Sequence, residues 1–219
     1  MEVRNIDIPV VDKEKVNTRY GYRFFKRLFD IILASLGLIF LSWLYLGIMI
    51  WIKLDDHGPV FFSQTRVGKD GKEFKMWKFR SMVTNAEELK QKLMEQNEVD
   101  GAMFKMKDDP RITKAGKFIR KTSLDELPQL WNVLIGDMSL VGPRPPLPSE
   151  DAHYTEHDKQ RLLVKPGCTG LWQVTARNSV GFKEMVDIDL TYVQRASLIY
   201  DLWLIICTVK VIFKPNGAY

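Results

Sequence analysis

Cysteine and histidine are scarce in this 219-residue sequence, with two and three copies. Cys168 follows a Pro-Gly pair and Cys207 lies in an apolar run, and neither has a cysteine or histidine at the spacing of a zinc site. The scarcity argues against a zinc protein and predicts a reduced domain that faces the cytosol. Internal repeats and low-complexity tracts are also missing, and we expect no cleavable signal peptide.

One stretch of 22 residues, 31–52, contains no charged side chain. A helix of that length would be about 33 Å long, enough to cross the hydrocarbon core of a membrane. The residues before it, 20–30, are basic and aromatic, so a spanning helix would export positive charge against the positive-inside rule. We therefore expect a membrane-embedded, re-entrant helix. A spanning helix and a buried helix of a soluble protein are the alternatives.

Elsewhere charge is plentiful, with 32 Lys and Arg against 27 Asp and Glu and a net charge of +5. Such an excess suits an anionic partner, whether a membrane surface, a nucleotide or a nucleic acid. The length allows one catalytic domain beside a membrane segment. We divide the chain into a loosely ordered lead-in (1–22), a basic flank with the membrane-embedded helix (23–53) and a cytosolic catalytic domain with interfacial helices (54–219).

The elements predicted after residue 53 are mainly helical with a small sheet, which gives an α+β fold class. A β-hairpin is expected from two short strand patterns that meet at Asp70-Gly71. Residues 114–121 form a basic pattern with an aromatic edge, expected to rest on anionic headgroups. Helices are also predicted over 84–99, 149–164, 187–195 and 200–213, and two turns with a short strand over 165–174.

The stretch 124–145, LDELPQLWNVLIGDMSLVGPRP, holds the best candidates for chemistry. Ser123 stands three residues before Glu126, which predicts a capping box at the start of a helix. Because Pro128 would interrupt that helix, Asp125 is the alternative N-cap, and either start places the acid pair at a helix N-terminus. Gly136-Asp137 would end the helix. Its predicted apolar face consists of Leu127, Leu130, Trp131 and Leu134.

Two motifs in this stretch, S-L-D-E-L-P-Q-L and G-D-M-S-L-V-G-P-R-P, resemble those of the bacterial sugar transferase family. These are monotopic phosphoglycosyl transferases that start cell-surface glycan synthesis on polyprenyl phosphate. The resemblance covers most of the chain, from about Phe25 to the C-terminus, and implies that Asp125 is the nucleophile. Arg144, fixed between two prolines, would lose little entropy on gripping a phosphate with its guanidinium fork.

Further motifs of the same family match along the chain: K-F-R-S-M at 78–82, D-D-P-R-I-T at 108–113 and P-G-x-T-G-x-x-Q-V at 166–174. The substrate- and phosphate-binding candidates are Lys78, Arg80, Arg111, Arg144, Gln173 and Arg177. A D-x-x-Y-V match puts Asp189 and Tyr192 on one helix face. Ser42 matches the serine of a Ser-Pro pair that breaks the family's membrane helix, although Trp43 replaces the proline.

The resemblance implies transfer of a sugar-1-phosphate from a UDP-sugar to polyprenyl (undecaprenyl) phosphate, with release of UMP. A hexose is the first choice of sugar and an N-acetylated sugar the alternative. Asp125 would form a covalent phosphosugar intermediate, Mg²⁺ held by Asp125 and Glu126 would bridge the diphosphate, and Arg144 would neutralise developing charge. The expected location is the bacterial plasma membrane, with the catalytic domain on its cytoplasmic face. Phospholipid is then a partner, a homodimer is allowed, and nucleic acid is not expected.

Two other functions compete with this interpretation. A membrane-anchored glycosidase would use Asp125 and Glu126 as acid and base, but its carboxylates should flank a sugar ring at about 5 to 10 Å. Adjacent residues on a helix point about 100° apart and do not straddle one bond easily. A non-enzymatic basic adaptor for lipid headgroups or nucleic acid would explain the net charge, but it leaves the acid pair and the rigid Arg144 loop without a purpose.

Overall fold

The structure, a computed structural model, describes residues 11–93, 109–176 and 180–213. The helices in these residues are α1 (Lys13–Thr18), α2 (Tyr20–Phe40), α3 (Ser42–Asp56), α4 (Ala86–Leu93), α5 (Lys114–Lys121), α6 (Gln129–Ile135), α7 (Pro148–Asp151), α8 (Leu171–Thr175), α9 (Phe182–Arg195) and α10 (Leu198–Phe213). The strands are β1 (Phe61–Val67), β2 (Glu73–Phe79), β3 (Ser139–Val141) and β4 (Gly167–Thr169), which form two two-stranded sheets. The mainly helical α+β class is therefore confirmed.

The chain divides into two compact units. Of the described residues, the first unit takes 11–38, 64–76, 129–176 and 180–213, and the second takes 39–63, 77–93 and 109–128. Each unit contains part of the β1–β2 hairpin.

The apolar segment predicted as one helix forms two. Helix α2 ends at Phe40 and α3 begins at Ser42, with Leu41 between them. The break therefore falls beside Ser42, where the family resemblance places it. Among the described residues, no single helix is long and apolar enough to cross a membrane, whereas α2 and α3 together have the necessary length and composition, with a bend of 60° at their break.

The main core of the first unit lies around β3 and helices α9 and α10. Strands β3 and β4 pair in parallel, and the buried Val141, Leu190 and Leu204 belong to one apolar cluster with Val11 and Val16. The backbone N–H of Val11 also donates to Oε1 of Gln160 (2.8 Å). The prediction that the lead-in is loosely ordered is therefore wrong for residues 11–18. Val11 packs on this core, and helix α1 (Lys13–Thr18) packs on it through Val16. Residues 1–10 lie outside the described residues.

A smaller core in the first unit joins α2, β2 and α6 through Ala34, Met76, Val133 and Met138. The guanidinium of Arg27 donates to the carbonyls of Val133 (2.6 Å) and Leu134. These carbonyls are at the C-terminal end of α6, where a cation is favoured by the helix dipole. Arg27, one of the basic residues near the start of α2, therefore binds the end of α6.

The second unit is built on α3 and α5. Ile48 and Ile52 of α3 cluster with Phe79, Ala115 and Ile119. Thr113 caps α5 by accepting a hydrogen bond from Gly116 N–H (2.9 Å), and α5 keeps its basic residues outside this core. The predicted amphipathic helix is confirmed, whereas its contact with anionic headgroups stays a prediction.

The predicted hairpin is confirmed, and its turn shows why Asp-Gly predicts it. Asp70 and Gly71 both have positive φ, 57° and 75°, a conformation that these two residue types tolerate. The helix predicted over 84–99 corresponds to α4, and residues 94–99 lie outside the described residues.

The short strand predicted within 165–174 is confirmed as β4, which α8 follows from Leu171. One other prediction needs correction. The helix predicted over 149–164 is instead the short α7 followed by a 3₁₀ segment, Asp158–Leu163. Short helical segments carry little periodic signal, because one turn samples each face only once.

Candidate functional site

The acid pair lies in a 3₁₀ turn, Leu124–Glu126, and not at the start of an α-helix. Ser123 has φ 57° and its side chain makes no capping hydrogen bond, so the predicted capping box is wrong. Helix α6 begins only at Gln129, after Pro128, so Asp125 is not its N-cap either. A left-handed residue two positions before a candidate nucleophile is a local strain of the kind found at active sites.

This turn is held from both of its ends within the second unit. Leu124 and Leu127 pack against the core of α3 and α5. The hydroxyl of Tyr45 donates a 2.5 Å hydrogen bond to the carbonyl of Leu127. The position of Asp125 is therefore fixed by packing and by a side chain of α3.

The Asp125 carboxyl has a raised pKa. Burial raises its pKa to about 6, Lys78 opposes the rise, Glu126 adds to it, and Arg120 opposes it. The helix N-terminus expected from the sequence would have stabilised the anion, and the turn provides no such helix. With a pKa of about 6, about nine-tenths of the group is ionised at pH 7. A carboxylate kept reactive by burial and held between cations is suited to nucleophilic attack on phosphorus.

Lys78 and Glu126 form an ion pair in the second unit. Nζ of Lys78 lies 2.8 Å from Oε1 of Glu126, and both side chains are partly exposed. Lys78 projects from β2, so a rigid strand positions the cation beside the acid pair.

The other two predicted cations of this unit, Arg80 and Arg111, are buried in ion pairs. Arg80 binds both carboxylate oxygens of Asp56, and it also donates to the carbonyls of Pro59 and Met82. Arg111 makes a two-point contact with Asp109, at 2.9 and 2.7 Å. Both guanidinium groups thus fix the chain around β2 and α5, and their binding of substrate phosphate stays a prediction.

Arg144 belongs to the first unit and lies in a loop held by hydrogen bonds to its backbone carbonyls. Four consecutive carbonyls accept hydrogen bonds: Pro143 from Gly167 N–H (2.9 Å), Arg144 from Arg161 Nη2 (3.2 Å), Pro145 from Arg66 Nη1 (3.1 Å) and Pro146 from Val67 N–H (2.9 Å). Prolines cannot donate to a sheet, so the loop is held through its acceptors. The neighbouring Pro143 and Pro145 are buried, whereas Arg144 is exposed. The backbone of the predicted arginine loop is therefore held on both sides of Arg144, and its contact with phosphate stays a prediction.

The loop also depends on backbone contact between two glycines. Gly142 N–H donates to Thr169 O (2.8 Å), and a Cβ on Gly167 would lie 2.0 Å from Gly142 N. A side chain at Gly167 would therefore push the arginine loop away from β4.

The side chain of Arg144 lies over the ring of Trp172, with 5.8 Å from its guanidinium carbon to the ring centroid. Trp172 and the predicted substrate residue Gln173 are neighbours in α8, so the arginine loop and the P-G-C-T-G segment form one surface. Arg177, the last predicted substrate residue, lies outside the described residues. The predicted pair Asp189 and Tyr192 is buried on one face of α9.

Sequence reasoning missed several residues of these surroundings. Arg120, assigned only to the membrane-facing helix, acts on the charge of Asp125. Asp56 and Arg161, which hold Arg80 and the Arg144 loop, were not singled out. Asp56 and Arg161 act across 24 and 17 residues of sequence, and no local pattern signals such a partner.

A magnesium ion fits the donor set. No group of three or more His, Cys, Asp or Glu that could hold a metal occurs in the described residues. Mg²⁺ commonly takes one or two carboxylates together with water and substrate phosphate. Asp125 and Glu126 can supply such carboxylates.

Comparison with known proteins gives consistent matches. The family model described as bacterial sugar transferase matches residues 21–215. The galactosyl transferase CpsE of Streptococcus agalactiae serotype III is 47% identical over 201 residues, which cover 91% of this chain and 44% of CpsE. The undecaprenyl-phosphate galactose phosphotransferase of Salmonella typhimurium is 47% identical over 202 residues, 90% of this chain and 42% of that protein.

A third relative is closer to this chain in length. The exopolysaccharide production protein ExoY of Sinorhizobium fredii is 41% identical over 198 residues, which cover 89% of this chain and 88% of ExoY. The chain spans less than half the length of the first two relatives. Since the family model covers most of the chain, and ExoY matches almost from end to end, the chain belongs to the bacterial sugar transferase family.

Proposed function

We propose that this protein transfers a sugar-1-phosphate, with a hexose as the sugar, from a UDP-sugar to undecaprenyl phosphate, with release of UMP. The observation that carries the proposal is the Asp125 carboxylate, half-buried in a fixed turn and subject to the charges of Lys78 and Arg120. Family membership and two relatives named for galactose transfer support the reaction class and the hexose. The first step of surface polysaccharide synthesis is the expected role, in line with the name of ExoY.

In the first half-reaction, a carboxylate oxygen of Asp125 attacks the phosphorus that bears the sugar. The bond from that phosphorus to the bridging oxygen breaks, and UMP leaves with that oxygen. The product is a sugar-phosphoryl aspartate. Lys78, which lies in the same unit as Asp125, offsets negative charge on the transferring phosphoryl group. Arg144 keeps the phosphate-binding role that its sequence motif predicts.

In the second half-reaction, a phosphate oxygen of undecaprenyl phosphate attacks the same phosphorus. The bond to Asp125 breaks, which returns the free carboxylate and gives a diphosphate-linked lipid sugar. Asp125 and Glu126 would hold Mg²⁺, which supplies charge neutralisation for the diphosphate when bound. Glu126, paired with Lys78 at 2.8 Å, also limits how that lysine moves.

Helices α2 and α3 are assigned to the membrane as a re-entrant pair. The break at Leu41, the exposed apolar residues of both helices and the family membership support this assignment. It puts the catalytic residues on the cytoplasmic face, where nucleotide sugars are available. A glycosidase is disfavoured, because Asp125 and Glu126 are neighbours in one 3₁₀ turn and do not flank a sugar ring.

The test is release of UMP by the purified protein in lipid micelles that contain undecaprenyl phosphate. UDP-galactose and UDP-glucose should be turned over faster than UDP-N-acetylglucosamine and UDP-N-acetylgalactosamine. Omission of the lipid phosphate should limit UMP to about one equivalent per enzyme. No UMP from any of the four nucleotides would contradict the proposal, and free sugar as the product would favour the glycosidase.

A further inference from the structure

Arg161 is a buried arginine outside every motif used so far, and its guanidinium touches the arginine loop. We propose that Arg161, through its hydrogen bond to the carbonyl of Arg144, is a positioning residue that sets the orientation in which Arg144 binds phosphate. This inference rests on the proposed function and adds a residue to it.

The contacts of Arg161 join three separate segments of the first unit. Arg161 lies in the 3₁₀ segment Asp158–Leu163. Its Nη2 binds Asp189 of α9, and its Nη1 donates to the hydroxyl of Tyr154 (2.8 Å). The same Nη2 lies 3.2 Å from the carbonyl of Arg144. One guanidinium group thus connects the loop to α9.

The ion pair between Arg161 and Asp189 is expected to add little to the stability of the fold. Arg161 is 2% exposed and Asp189 is fully buried. Burying two charges costs several kcal/mol each, and apolar residues of similar size often do as well or better. Within the described residues, Nε of Arg161 and Oδ1 of Asp189 have no hydrogen-bond partner, which adds to that cost.

The pair nevertheless stays charged at neutral pH. Burial raises the pKa of Asp189 to about 6, and Arg161 and then Arg144 act against this rise. Asp189 in turn outweighs the effect of burial on Arg161, whose pKa is raised. The charge of Asp189 therefore acts on Arg161 and on Arg144 together.

The geometry leaves Arg144 with two supports. The carbonyl is held by Arg161, and the guanidinium face lies on Trp172. With the backbone and the plane of the side chain both set, the exposed N–H edge is free to make a two-point contact with phosphate oxygens. Loss of the carbonyl contact should misplace that edge and leave the arginine itself intact.

The first experiment compares Arg161→Lys with wild type, using UDP-galactose and undecaprenyl phosphate. Lysine keeps the charge beside Asp189, but a single ammonium cannot reproduce the forked contact. We expect kcat to fall by about ten- to a hundredfold, in the range of a misplaced catalytic group, with KM for the UDP-sugar changed less than about threefold. Lys159→Ala, an exposed neighbour in the same segment, is the control and should match wild type.

A double-mutant cycle decides whether Arg161 acts through Arg144. In an Arg144→Ala background, adding Arg161→Lys should lower kcat by less than about twofold, because the group it positions is gone. Equal losses of kcat in both backgrounds would overturn the inference.

The apolar pair Arg161→Met/Asp189→Leu separates folding from function. We expect its melting temperature to stay near that of wild type and its kcat to fall as in Arg161→Lys. Full activity in this variant would overturn the inference. If wild type released no UMP, the proposed function itself would fail. If wild type released UMP but Arg144→Ala had no effect, Arg144 would have no role to be positioned for and the inference would be overturned. A strong effect of Arg144→Ala with none of Arg161→Lys would refute only the positioning role.

Discussion

Lys78 binds Glu126 at 2.8 Å and also lowers the pKa of the adjacent Asp125. One ammonium group therefore acts on both members of the acid pair. A partly exposed ion pair of this kind is worth at most about 1 kcal/mol of stability. The main effect of Lys78 is therefore electrostatic, because its positive charge favours the ionised form of Asp125.

The pH dependence of the first half-reaction tests this relationship. Burial raises the pKa of Asp125 to about 6, and only the deprotonated carboxylate attacks, so the rate should fall about tenfold per pH unit below that value. Lys78→Met removes a cation that favours the anion, so its acid limb should move to higher pH, whereas Lys78→Arg should keep the limb near that of wild type.

Single-turnover UMP release from UDP-sugar alone is the right measurement. Undecaprenyl phosphate is left out because the second pKa of a phosphate monoester is itself about 6. An acid limb that does not move in Lys78→Met would separate Lys78 from the ionisation of Asp125.

Asp125→Asn should lower turnover by about a thousandfold or more, as loss of an essential nucleophile does, with little effect on the fold. The amide keeps the shape of the side chain but is not nucleophilic. The measurement is acid-quench trapping of protein-bound label from UDP-sugar labelled at the phosphate that bears the sugar. Equal trapping on wild type and Asp125→Asn would contradict a covalent intermediate on Asp125.

Local patterns in the sequence predicted the elements that are themselves local. The Asp70-Gly71 turn, α5, α9 and α10 all depend on neighbouring residues. The break beside Ser42 was expected from the family resemblance instead. The conformation of Ser123 was missed, because the same letters S-L-D-E also encode a capping box, and the packing of Leu124 and Leu127 on α3 selects the 3₁₀ turn instead.

Burial was mispredicted in α6 for a related reason. Trp131 is half-exposed, whereas Asn132 is fully buried. Nδ2 of Asn132 donates a hydrogen bond of 2.7 Å to the carbonyl of Lys75. Hydrophobic periodicity assigns tryptophan to the core and asparagine to the surface, and only the hairpin opposite α6 in the first unit reverses that choice. Ion pairs such as Asp56 with Arg80, 24 residues apart, leave no local signal either.

Removal of Mg²⁺ should abolish UMP release, and added Mg²⁺ should restore it. Glu126→Gln should cost about ten- to a hundredfold, typical of a group that supports a metal, and should raise the Mg²⁺ concentration needed for half-maximal rate. The readout is the rate against free Mg²⁺ in a chelator buffer. Full activity in excess EDTA would remove the metal from the mechanism.

Arg144→Lys should lose nearly as much activity as Arg144→Ala, about a hundredfold or more, because a point charge does not reproduce a two-point contact with phosphate. Both variants should keep the loop, since its carbonyl contacts come from Gly167, Arg161, Arg66 and Val67. The rates of the first half-reaction and the melting temperatures are compared. A lysine variant as active as wild type would mean that Arg144 supplies only diffuse positive charge.

Trp43→Pro tests how the pair formed by α2 and α3, proposed to lie in the membrane, is broken. Trp43 lies in the first turn of α3, where backbone N–H groups have no partner within that helix, so Trp43→Pro should be tolerated. Leu46→Pro, at another exposed residue but inside α3, should cost about 3 kcal/mol or more. Expression, melting temperature and UMP release are compared, and equal damage in both variants would argue against a helix start at Ser42.

Topology is the last prediction: residues near both ends of the chain should lie in the cytosol. The motivation is that residues 31–52 carry no charge while basic residues flank them, and that the helix breaks between Phe40 and Ser42. Single cysteines near positions 5 and 215, in a Cys168→Ser/Cys207→Ser background that retains activity, are treated on intact cells with a membrane-impermeant thiol reagent. Neither should react until the membrane is permeabilised. Labelling of position 5 alone on intact cells would show a spanning segment, because the helix pair would then leave its two ends on opposite sides of the bilayer.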